Sequence, residues 1–205
     1  MGRPALAPAA IDAFRDRLCD AALRRFAEDG YRGVTLRGLA RELGVSHAMA
    51  YRYFVDKDAI FVECRRRCLA RFTAYQRARL DGITDPAAAI RAGARSYVDF
   101  AIDEPHAFRV MFDLEQPAPA SQRALRDAQR GAFDVLGAVV RRAVTAGVLR
   151  GEPAELTQMF WASIHGVASL HVGGQLGRRR TAHAVADAIA TTMLAGLAPG
   201  PREAR

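Results

Sequence analysis

The sequence predicts an all-α chain, and three observations carry that expectation. Apolar residues recur at helical spacing along nearly all of the 205 residues. Strand-like alternation is missing. The dipeptides Asp29-Gly30 and Asp81-Gly82, which could join two strands, each end a helical pattern instead.

The elements follow in order. The first helix runs from about Ala9 to Asp29, with Ile11, Phe14, Leu18, Ala22 and Phe26 on one face and Gly30 in the C′ position. Thr35 caps a short helix ending at Leu43-Gly44. Ser46 caps another that ends near Phe54. Asp56 caps a long fourth helix reaching about Leu80, with Asp58 in its first turn, where the helix dipole favours negative charge. Asp85-Pro86 opens a fifth, to Asp103. Pro105 breaks the chain before a short helix, His106 to Leu114. A linker, Gln116 to Pro119, leads to a long helix from Ser121 to Ala146. Pro153 opens the eighth, Ala154 to Val172, and Thr181 caps the last, Ala182 to Leu197. The expectation is nine helices in two domains, 1–55 and 56–205, linked by the helix at 56–80.

Composition bounds the function. Half of the residues are hydrophobic and 25% are charged, which excludes a disordered chain. No apolar run approaches a membrane span, and the first residues lack the apolar core of a secretion signal. Three cysteines, an odd number without framework spacing, point to a reducing cytoplasm. Net charge is +8, and it is uneven. Residues 1–80 hold 16 Lys/Arg against 9 Asp/Glu, whereas residues 81–205 hold 14 against 13. A polyanion partner for the N-terminal part is the natural hypothesis, a solvated basic face the plain alternative.

The stretch TLRGLARELGVSHAMAYRYF, Thr35 to Phe54, carries the chemistry. Leu36, Leu39, Ala40 and Leu43 line one face of its first helix. Gly44 turns the chain, Val45 plugs the corner, and Ala50 and Phe54 give the second helix its inner side. The small Ala40 lets the two helices approach. This is the pattern of a helix-turn-helix, whose second helix enters the major groove of double-stranded DNA.

These residues carry a resemblance. Thr35-Leu36-Arg37 through Gly44-Val45-Ser46, then Tyr51-Arg52-Tyr53-Phe54 and Asp56-Lys57-Asp58, resemble the N-terminal signature of the TetR family of transcriptional regulators over roughly residues 11–60. Trp161 to Gly166, with His165, resembles the WHG-type C-terminal domain of some such regulators. The resemblance implies roles that the side chains suit. Tyr51, Tyr53, Lys57 and Thr35 would hold phosphates, which fixes register without reading sequence. Arg37, Ser46, His47, Ala48, Met49 and Arg52 would face the groove. Arg37 can pair with guanine in two hydrogen bonds, and Ala48 or Met49 can touch a thymine methyl. Phe54 is core. Ala50 is smaller, and Met49 larger, than the family's usual residues there.

The eighth helix is apolar on two sides. Leu156, Phe160, Ile164 and Val167 mark one; Met159, Ser163, Gly166 and Leu170 mark the other, and Trp161 lies beyond. With Ala186, Ala190 and Ala195 on the last helix, the resemblance implies a homodimer through these two helices. The plain alternative is the central helix of a monomer. The resemblance also implies a cavity for a small-molecule effector, with Phe100, Phe108, Met111, Phe112, Phe133, Met159, Phe160, Trp161 and His165 as candidate lining. Aromatics at helical spacing are core by default. Few charges fall among them, which favours an apolar or aromatic effector. Cys64 and Cys68 share a helix face, and whether they sense anything is open.

The expected function is a ligand-responsive repressor released from a palindromic operator by its effector. An architectural DNA binder without effector is the first alternative. A small helical-bundle enzyme is the second, and it finds little support. The sequence has no Glu-x-x-His pair, glycine-rich phosphate loop or nucleophile elbow, so no catalytic residue, metal or cofactor is expected.

Overall fold

The computed structural model describes residues 8–112, 123–177 and 181–199, with side chains from residue 12 onward. The side chain of Ile11, the linker at 116–119, the expected helix ends at Leu114 and Ser121, and the tail beyond Pro199 lie outside the described residues. Among the described residues there are nine α-helices and no strand. They are α1 (Pro8–Gly33), α2 (Leu36–Glu42), α3 (His47–Tyr51), α4 (Lys57–Leu80), α5 (Pro86–Asp103), α6 (Pro105–Phe112), α7 (Arg123–Thr145), α8 (Pro153–Val172) and α9 (Ala182–Gly196).

Contacts group the chain into two compact units. The first comprises residues 1–68 and 106–126, the second residues 69–105 and 127–205.

In the first unit, Phe14, Leu18, Ala22 and Phe26 of α1 are buried, as are Leu36, Leu39, Ala40, Ala50, Phe54, Ile60 and Phe61. Phe26 and Phe61 meet edge to face, with centroids 4.8 Å apart. The helix stops at Gly30 as expected, but another turn follows through Gly33. Gly30 has φ +71°, which re-aims the chain and sets Tyr31 edge-on against Phe61 at 5.1 Å.

The helix-turn-helix closes by hydrogen bonding. Thr35 Oγ1 accepts from the Gly38 N–H at 3.0 Å and caps α2. At the other end the Gly44 N–H donates to Arg41 O (3.1 Å), and the Val45 N–H to Ala40 O (3.0 Å). With Gly44 at φ +67°, this is a Schellman closure, which spends the orphan carbonyls of α2 while turning the chain. Two expectations change here. Ser46 precedes α3, but its hydroxyl makes no capping bond, and α3 ends at Tyr51 rather than near Phe54. The Tyr53 and Phe54 N–H groups both converge on the Ala50 carbonyl, which tightens the chain into a turn (3.1 and 3.2 Å).

In the second unit, α5, α8 and α9 pack on one another. A core of Ala89, Ile90, Val139, Val140, Ala143, Leu149, Leu156, Phe160 and Leu194 joins them to α7. Arg95 clamps Asp187 with two hydrogen bonds (2.7 and 2.8 Å), and His183 meets Asp99 at 2.6 Å; both tie α5 to α9. Among the described residues, no helix is long and apolar enough to cross a membrane.

Candidate DNA interface and effector region

The sequence-predicted DNA residues fall along α2, α3 and the start of α4. Arg37, Ser46, His47, Ala48, Tyr51 and Arg52 are exposed, and Met49 is half-buried. Tyr51 is 50% exposed, unusual for an aromatic, and His47 meets it edge to face at 6.0 Å. Tyr53 is half-buried, its ring 4.8 Å from Phe14. Phe54 is 3% exposed, core as expected, with Arg15 over its ring at 5.2 Å.

Lys57 is already engaged. Its Nζ donates to Tyr31 O at 3.0 Å and lies 4.0 Å from the centre of the Tyr31 ring. The Tyr31 hydroxyl donates in turn to Asp58 Oδ1. Burial, then Asp58, pushes the Tyr31 phenol up to about 12, so it keeps the proton it donates. An ammonium has three donors, and Tyr31 O takes one. Tyr31 thus holds Lys57, a role the sequence reading missed; the 26 residues between them left no spacing signal.

The electrostatics of this face are one-sided. Glu42, the carboxylate of α2, is bound by Arg25 at 2.9 Å and Arg24 at 3.4 Å, and the Arg25 hydrogen bond draws its pKa down. Asp56 spends an oxygen on the Ala59 N–H at 2.7 Å, capping α4. Among the described residues, Arg37, Arg41 and Arg52 have no hydrogen-bond or ion-pair partner. The arginines of α4's first half are occupied instead: Arg66 and Arg67 bind Glu63, and Arg67 also binds Asp16. Unpaired guanidiniums, free hydroxyls and an anchored ammonium share one short stretch. That arrangement can bind a phosphate backbone and read base edges.

The effector candidates divide. Phe108, Met111 and Phe112 belong to the first unit; there Arg65 donates to Met111 O at 2.9 Å, and the Phe108 and Phe112 rings lie 5.0 Å apart. Phe100, Phe133, Met159, Phe160, Trp161 and His165 belong to the second. Phe100 and Phe160 are sealed in the core, whereas Met159 is 48% exposed on the outside of α8. His165 is half-buried. Its Nδ1 pairs with the Tyr97 hydroxyl at 2.9 Å and its Nε2 with Ser169 at 3.1 Å, while Trp161 lies 5.4 Å from its ring and Phe133 6.1 Å from Trp161. Burial lowers the His165 pKa.

Cys19, which the sequence reading did not group with them, joins Cys64 and Cys68. All three are buried and none forms a disulfide, and Cys64 donates to Cys19 O at 3.4 Å. Among the described residues, no cluster of His, Cys, Asp and Glu is able to hold a metal.

The family profile described as "Bacterial regulatory proteins, tetR family" matches residues 18–64. A second, "Tetracyclin repressor-like, C-terminal domain", matches residues 90–197, more than half of the chain. The chain belongs to the TetR family of transcriptional regulators. Members of this family are DNA-binding transcription factors and not enzymes. This TetR regulator is 28% identical over 156 residues to RutR, an HTH-type transcriptional regulator of Escherichia coli K12, covering 75% of this chain and 73% of that one. A Rhodococcus protein of unknown function superposes with a TM-score of 0.80 at 29% identity, covering 90% of this regulator and 95% of that chain. FadR of Bacillus subtilis, solved with stearoyl-CoA, superposes with a TM-score of 0.75 over 89% of this chain and 98% of its own. At 15% identity that likeness shows the shared fold alone.

Proposed function

We propose that this regulator is a homodimeric repressor of the cytoplasm. It binds a palindromic operator through residues 1–55 and is released by a small, mainly apolar or aromatic effector held in residues 56–205. Arg37, Ser46, His47, Ala48, Met49 and Arg52 face the groove; Thr35, Tyr51, Tyr53 and Lys57 hold the backbone.

The observation that supports the dimer is the second apolar stripe of α9. Ala182, Ala186, Ala190 and Leu194 are buried within the chain. Val185, Ala188, Ile189, Thr192 and Met193 line an open groove of about 360 Å³ on another face. The spacing i, i+3, i+4, i+7, i+8 makes that groove a continuous helix stripe. On α8, Met159 and Leu170 are 48% and 43% exposed. Two helices each showing an extra apolar face suit a self-complementary interface. A dimer in turn presents two recognition helices to two half-sites.

The test is to select genomic fragments with the purified protein and to measure its mass in solution. A dimer that enriches a palindromic site supports the reading. A monomer, or retention with no preferred site, overturns it; the latter favours an architectural role.

A further inference from the structure

We propose that Gln76 is the polar recognition residue of the effector site, and that the effector is an uncharged molecule carrying a hydrogen-bond acceptor, such as a ketone, ester or lactone carbonyl. This rests on the reading that residues 56–205 hold the effector and names the ligand chemistry of that site.

Gln76, in the second half of α4, is 6% exposed. Its Nε2 is sealed from solvent and has no hydrogen-bond partner among the described residues. Folding does not leave an amide N–H2 dry and unpaired without cost, so such a group calls for an explanation. Gln76 lies one turn beyond Phe72 on the same face of α4. Phe72 meets Tyr97 and Phe100 of α5 edge to face, at 5.1 Å each. The amide therefore belongs to the α4 face that carries this aromatic cluster.

Other polar side chains of this unit are spent. Tyr97 and Ser169 pair with His165, and Tyr75 donates to Asp103 at 2.8 Å. Ser96 donates to Gly93 O, and Thr157 to Pro153 O. Among the described buried side chains of the second unit, Gln76 alone holds an unspent donor.

The same residues set the charge of the ligand. The buried polar side chains described in this unit are Gln76, Ser96 and Thr157, all neutral. An ionised effector enclosed among these three side chains would meet no countercharge, and burying an unpaired ion is prohibitive. A neutral apolar body with one acceptor oxygen satisfies both the aromatic surroundings and the waiting N–H2.

The experiment titrates the full-length free protein with three probes of one size: acetophenone, ethylbenzene and benzoate. The side-chain amide resonance of Gln76, assigned by its loss in Gln76→Leu, reports contact. Acetophenone is expected to bind about tenfold more tightly than ethylbenzene, the worth of one hydrogen bond, and to shift that resonance. Benzoate is expected not to bind. In Gln76→Leu, or in Gln76→Met should the first fold poorly, the preference for the ketone disappears. Equal binding of acetophenone and ethylbenzene, including none of either, overturns the proposal, as does a preference that survives both substitutions. A second measurement needs no ligand. Removing an unpaired amide raises the thermal midpoint of the free protein, and a lower midpoint in both variants means that the amide has a partner and the inference fails. Operator binding by the wild type is scored separately. Its absence sinks the repressor reading and leaves the ligand result standing.

Discussion

Lys57 shows how a basic residue is prepared for DNA. Held by the Tyr31 carbonyl and ring, it has little side-chain freedom left to lose when a phosphate arrives. Lys57→Ala is expected to weaken binding to all sequences alike and to reduce the slope of log affinity against log salt by about 1. Tyr51→Ala should weaken binding just as uniformly, without that change of slope, since its hydroxyl is neutral. Salt-titrated binding to operator and to scrambled DNA checks both; unchanged affinity in both variants refutes their phosphate role. Glu63 offers a second residue-level test. The hydrogen bond from Arg66, with help from Arg67, draws its pKa down from 4.5 to about 2. The unfolded chain therefore takes up this proton first as pH falls. The stabilisation is whole above about pH 4.5 and is lost as pH drops towards about 2. Because the arginines are partly exposed, the pair is worth about 1 kcal/mol. Glu63→Gln should cost about that much at pH 7 and flatten the acid side of the profile, read as urea midpoints at pH 7, 4 and 3.

At the scale of the element, the two short helices of the DNA-binding part are started differently. Thr35 makes its capping bond and Ser46 does not. Thr35→Ala is expected to cost about 1 kcal/mol of folding stability. Ser46→Ala should stay within about 0.5 kcal/mol, so any large loss of operator affinity in that variant belongs to the interface. Chemical denaturation of both, beside operator binding, separates the two effects. The contrast also marks what was legible in the sequence. Helix order could be read because Pro86, Pro153, Asp85, Thr35 and Thr181 act through local backbone chemistry, which one stretch of chain contains. Whether Ser46 reaches its partner N–H depends on a rotamer that residue type does not fix. Tyr31 could not be found, because its meeting with Lys57 is a product of folding. Gln76 left a trace that went unread: it continues the buried stripe of Leu69 and Phe72, where an apolar residue is expected. The grouping of Phe108, Met111 and Phe112 with the first unit had no sequence signal, since their helical spacing is that of any core.

At the scale of the whole molecule, the charge asymmetry and the apolar stripe of α9 make one argument. The unpaired guanidiniums lie in the N-terminal part, and the stripe lies on the last helix. A dimer would double the phosphate contacts without adding any to a subunit, so operator affinity depends on residues that never touch DNA. Ile189 sits in the middle of the α9 stripe, among Val185, Ala188, Thr192 and Met193. In the lone chain it lines an open groove, so Ile189→Arg should keep the helical content and thermal midpoint of the subunit close to those of the wild type. In the dimer the same arginine would face its own copy across a two-fold axis, and burying two like charges disfavours association. The variant is expected to elute as a folded monomer, to keep weak and salt-sensitive binding to any DNA, and to lose operator affinity by at least about 100-fold, the lower end of what linking two sites provides. Light scattering coupled to gel filtration, circular dichroism and operator titration read the three properties independently. A variant that remains dimeric places the interface on another surface. A variant that is monomeric yet binds the palindrome as tightly as the wild type breaks the link between dimerisation and operator recognition, because each recognition helix would then be acting alone.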